Sequence, residues 1–128
     1  MSDYIGLAGL KAAATLTQYR ACKITAAHTV NSITNANAER PVGIVQNDPL
    51  VDEGVDIACL GKCRAEYGGE VTAGDKLACN NSGQLITDVE VLDGSAVDLH
   101  HIAIALETGS SGEVHYVYAI APQMIGKE

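Results

Sequence analysis

Four cysteines and four histidines are the residues of this 128-residue chain whose types suit metal binding or nucleophilic attack. The closest thiol pair lies in Cys59-Leu60-Gly61-Lys62-Cys63. In an extended strand, residues four apart stand about 13 Å from one another. That pair shares one zinc only if Gly61 folds the chain back sharply, and structural zinc sites use closer pairs on a knuckle turn. Each cysteine is therefore expected as a small buried hydrophobe. His100 and His101 are adjacent, so on a strand they face opposite sides and do not ligate one ion. His28 and His115 have no partners at ligand spacing and are expected at the surface or an edge. Asp48, Asp52, Glu53 and Asp56 cluster without the alternating ligands and fixed glycine of a calcium loop, and read as a solvated loop. There is no nucleophile elbow, phosphate loop or dinucleotide fingerprint. The expectation is a non-enzyme with no catalytic, metal-binding or cofactor-binding residue.

The elements that carry these residues read as strands. Residues 55–67 alternate, with Val55, Ile57, Cys59, Cys63, Ala65 and Tyr67 on one parity and Asp56, Lys62, Arg64 and Glu66 on the other. Period two predicts one half-buried strand, or two joined by a bend at Gly61. Gly68-Gly69 stops it, and turns at 73–76 and 80–83 enclose a short strand at 77–79. The stretch 55–87 is thus the unit around which the chain is organised. Before it, strands are expected at 18–25, 26–34 and 42–46, with a polar loop at 35–41 and a turn at Asn47-Asp48-Pro49. After it come an exposed turn at Asp93-Gly94-Ser95 and a strand at 99–106 with Ile102, Ile104 and Leu106 inward and the alanines opposite. A hairpin loop at 109–112 and a last strand at 113–121 follow, with Val114, Tyr116, Tyr118 and Ile120 on one face and Pro122 ending it.

Residues 1–14 are small and apolar, and Tyr4, Ile5, Leu7 and Leu10 are their bulky groups. They read as an extended N-terminal arm, with a helical turn at 11–14, or as a first edge strand. The arm reading makes them dispensable for folding and assigns the four bulky residues to contact with a partner. Residues 15–128 then form a single domain. The whole is expected to be all-β: a small sandwich or barrel-like domain of about eight to ten short strands.

Charge narrows the partners. Sixteen acidic residues against eight basic give a formal net charge of -8. A nucleic-acid binder needs cations to displace counterions from phosphates, so direct nucleic-acid binding and adhesion to an anionic membrane are both disfavoured. Asp3 and Lys11 interrupt any secretory signal, and no apolar run approaches the length of a membrane helix, about 20 residues. The chain is expected to fold in a cytoplasm with its cysteines as thiols.

Five segments in order carry a family resemblance: Pro41-Val42-Gly43-Ile44-Val45, Gly54-Val55-Asp56-Ile57-Ala58, Val71-Thr72-Ala73-Gly74-Asp75-Lys76-Leu77, Ser82-Gly83-Gln84-Leu85 and Ile102-Ala103-Ile104-Ala105-Leu106-Glu107. Together they resemble the capsid cement, or head decoration, proteins of tailed bacteriophages, over residues 40–122. The resemblance implies a small β-rich homotrimer that binds the major capsid protein on the outside of the expanded capsid. It would act on the virion exterior, after assembly in the host cytoplasm, and stabilise the shell against packed DNA. Gly74 and Asp75 match the family turn as structural residues. The four cysteines are no part of that pattern. The alternatives are a stand-alone β-barrel that binds a ligand or glycan and, further off, a thiol- or metal-dependent enzyme.

Overall fold

The computed structural model describes residues 4–7, 9–34, 39–87 and 100–124. The turn expected at Asp93-Gly94-Ser95, with the rest of 88–99, lies outside them, as does most of the loop at 35–41 and the tail at 125–128. Among the described residues the fold is all-β, with no helix. It has ten strands: β1 (Tyr4–Leu7), β2 (Lys11–Ala12), β3 (Ala21–Ala26), β4 (Thr29–Ser32), β5 (Gly43–Val45), β6 (Ile57–Glu66), β7 (Lys76–Cys79), β8 (Leu85–Thr87), β9 (His100–Ala105) and β10 (Val114–Met124). They form one sheet in the order β2-β4-β3-β5-β6-β10-β9-β7-β8, with β1 paired to β6. All pairs are antiparallel except β2 with β4.

β6 is the hub, pairing with β1, β5 and β10. Its sequence parity holds, but Gly61 divides it. Gly61 has φ of 114°, a region that glycine enters without steric penalty. Before it, Ile57 and Cys59 pack into a cluster with Ala12, Leu16, Cys22, Val30, Val45 and Val55. After it, Cys63, Ala65 and Tyr67 join a larger cluster with Leu77, Leu85, Ile102 and Val117. One parity of a single strand thus serves two cores. β5 is buried on both faces: Ile44 belongs to the larger cluster and Val45 to the smaller. This is why 42–46 reads as a continuous apolar run rather than an alternating one.

Four expectations need correction. Residues 11–14 do not make a helical turn, because Lys11–Ala12 is a strand parallel to β4. β3 starts at Ala21 rather than residue 18, since Tyr19 takes φ of 71° and breaks the extended run. In β9, Ile104 is half-buried and Leu106 is exposed, while Ala103 and Ala105 face the core. The facing of the larger side chains is therefore inverted after Ile102. β10 also runs past Pro122 to Met124. Its pairing with β9 slips between Ala119 and Gln123, and proline, lacking an N–H, is tolerated within such an irregularity.

Candidate functional site

The thiols are set up for packing. None of the four is in a disulfide, and Cys22, Cys63 and Cys79 are buried. Burial is the leading cause that pushes each of these three up to about 12. A neutral thiol is neither a metal ligand nor a strong nucleophile. Cys59 and Cys63 sit on either side of Gly61, in different clusters. Among the described residues no group of three or more His, Cys, Asp or Glu side chains is placed to hold a metal ion.

The histidines divide. His28 occupies the turn between β3 and β4 at φ of 55°, exposed. His101 is half-buried on β9. His115 lies near the start of β10, where its Nδ1 is 2.9 Å from Glu107 Oε1 and its Nε2 is 3.0 Å from Glu113 Oε1. Its ring leans on Tyr67, with centroids 5.1 Å apart. The Glu113 and Glu107 carboxylates hold the imidazole above its ordinary pKa. Glu107 is held low by the Tyr116 N–H and by His115, and Glu113 by His115 and the Ser110 N–H. Both ring nitrogens face acceptors, an arrangement that suits the imidazolium, which donates from both. This is a clasp across the β9–β10 hairpin.

The acidic loop does not converge on a point. Glu53 Oε1 accepts from the Leu50 N–H at 2.9 Å, and Asp56 Oδ2 accepts from the Tyr4 hydroxyl at 2.7 Å. Further bonds fix the loop to β2: Ala12 N–H to Glu53 O at 2.9 Å and Asp52 N–H to Ala12 O at 2.8 Å. The loop thereby presents Leu50 and Val51, 57% and 53% exposed, between its carboxylates.

The four bulky residues of the N-terminal segment do not act alike. Ile5 is 66% exposed and lies opposite Leu60 of β6, also exposed. Tyr4 packs partly against the larger core cluster and Leu10 partly against the smaller one. Leu7 is opposite Ile57 in the β1–β6 ladder. In the central turn, Gly74 takes φ of 96° and Asp75 Oδ2 accepts from the Thr72 N–H at 2.9 Å.

A surface that the alternation did not single out is the outer face of β6, β10 and β9 beyond Gly61. Tyr118 is opposite both Lys62 and Ile104, and Ile104 is opposite Lys76. The Lys62 ammonium lies 4.8 Å, and the Arg64 guanidinium carbon 5.1 Å, from the Tyr116 ring centre. Leu106 and Tyr118 are exposed. The inner face of the same strands carries Cys63, Ala65, Ala103, Ala105, Val117 and Ala119. The small side chains point in and the large ones out, the reverse of an ordinary half-buried sheet. The sequence signal is the shared parity of Tyr116 and Tyr118 in β10, which alone does not tell a wet face from a buried one.

A cleft of about 260 Å³ opens between Leu16–Cys22 and Asn81–Ser82, and its described lining holds no aromatic side chain. Arg20 at its edge is bound to Glu66 at 3.0 Å. Burial raises the Glu66 pKa, but the bonds from Arg20 and Gln84 outweigh that and hold it below the usual carboxylate range.

No protein-family model matches this chain. No curated protein matches it either. Among solved structures, the chain is similar to the N base of the head fiber gp8.5 in bacteriophage phi29, with a TM-score of 0.62 and 15% identity. The similarity covers 90% of this chain and 92% of that one. At that identity it is a likeness of fold, and it spans most of both chains.

Proposed function

We propose that this chain is a structural decoration protein of a tailed-bacteriophage head, binding the major capsid protein on the outer surface of the mature shell. The observation that carries the reading is the fold shared, over nearly the whole of both chains, with a head fiber base. The ordered motifs at residues 40–122 support it as well, because they lie in the sequence and do not depend on the fold. The buried neutral thiols and the dispersed carboxylates are consistent with a role that needs no chemistry.

In this reading the protein is a homotrimer that caps positions of local three-fold symmetry. Binding only the expanded lattice lowers the free energy of that state and so opposes the outward pressure of DNA. Three contacts in one trimer act together, so avidity exceeds the affinity of any one. The segment with Tyr4, Ile5, Leu7 and Leu10 contributes contacts to the capsid or to a neighbouring subunit, with Ile5 and the adjacent Leu60 as its exposed apolar part.

The test is cosedimentation of purified protein with expanded and unexpanded shells of the major capsid protein encoded in the same genome. Saturable binding to expanded shells, with slower DNA release on heating of filled particles, is the expected result. Equal pelleting with and without shells would contradict the proposal.

A further inference from the structure

We infer that the outer face of β6, β10 and β9 is a contact surface for a second copy of this chain, and that it receives that copy's loop at residues 47–54. The inference deepens the self-association proposed above and rests on it.

The first observation is the inverted facing. Tyr116, Tyr118, Ile104 and Leu106 point away from the core while alanines fill it. A sheet face that leaves Tyr118 and Leu106 exposed and Tyr116 and Ile104 half-buried is the kind of surface that association buries.

Charge selects the occupant. In a chain of net charge -8, three of the eight basic residues, Lys62, Arg64 and Lys76, stand on this one face. Of the acids at its edge, Glu66 is held by Arg20, and Glu107, which Lys62 also attracts, is held by His115 and the Tyr116 N–H. Two such faces packed on each other would bring like charges together, so a symmetric face-to-face dimer is disfavoured. The loop at 47–54 has the complementary character. It exposes Leu50 and Val51 among Asp48, Asp52 and Glu53, all exposed. Its backbone is fixed to β2, and Asp52 holds φ of 68° at its tip. A rigid apolar knob with an acidic rim thus fits an apolar face with a basic rim. The two surfaces are different patches of one molecule, so the contact is head-to-tail, which gives a ring when the rotation between copies closes and an open filament when it does not.

The test is charge reversal, read by analytical ultracentrifugation of the free protein. Lys62→Glu with Arg64→Glu, or Asp48→Lys with Asp52→Lys, should each raise the concentration for half-assembly by about tenfold or more. All four changes in one chain should restore assembly, because every contact is complementary again. Circular dichroism establishes that each variant is folded. Should the reversed loop fail to fold, D48N/D52N serves instead, since Asn tolerates the left-handed conformation at 52 as Asp does. It should also weaken assembly. If either double variant is folded and assembles like the parent chain, the inference is wrong while self-association stands. A parent chain that stays monomeric at all concentrations overturns both, and leaves particle binding to its own assay.

Discussion

His115 is the one titratable group in the described core strands whose setting makes stability depend on pH near neutrality. Its folded pKa is raised, so the stability it contributes is fully present below its unfolded value, about 6.5, and is lost as pH rises through the folded value. Glu107 and Glu113 have lowered pKa values, so their share is present above the ordinary carboxylate range and is lost as pH falls through the folded values. The clasp is therefore strongest between about pH 5 and about pH 6.5. His115→Gln should flatten the decline in melting temperature from pH 6 to 8, and an unchanged slope would show that the clasp is not what titrates. The thiols give a second test. With Cys22, Cys63 and Cys79 pushed up to about 12 against an ordinary 9.0, their thiolate fraction at pH 8 falls by about a thousandfold. A disulfide reagent should label Cys59 first and the other three only on unfolding; four equal fast phases would contradict the packing described. Gly43 is a third. A Cβ there would lie 2.5 Å from both Ala58 O and Ile57 Cγ2, so Gly43→Ala should cost about 1–3 kcal/mol in denaturant unfolding.

At the scale of elements, the sequence was most legible where polar and apolar residues alternate. β6 was readable because Lys62 and Arg64 separate Cys63 and Ala65, and the bend at Gly61 was visible as the one residue without a side chain. β9 was not readable in its facing, since Ile104 and Ala105 are both apolar and period two gives no sign of which side is wet. Ala12 gave no signal at all: it is fully buried, yet alanine is as common outside as in. The N-terminal segment accordingly makes a divided prediction. Removing residues 2–7 takes away β1 and should cost little beyond the Tyr4 contacts. Removing residues 2–14 also takes away Leu10, Ala12 and the bonds that hold the loop at 47–54, and should lower the melting temperature substantially. Equal melts for the two truncations would mean that β2 contributes nothing to the core. None of the contact residues proposed here could be separated from packing residues by sequence alone, because Tyr4 and Leu10 face the core while Ile5 beside them does not.

For the whole molecule, the all-β class and the number of strands were legible in the sequence, while the way one sheet serves two cores came only with the fold. The functional account rests on the fold of the entire domain rather than on any one residue, so it is tested at that scale. The most direct measurement is an electron cryomicroscopy reconstruction of the mature particle encoded in the same genome, with and without this chain. The account predicts added density of this all-β fold on the outer surface, three copies around each occupied position, with the segment at 4–10 against a capsid subunit or a neighbouring copy. Mature particles identical with and without the chain, or density for it inside the shell, would contradict it.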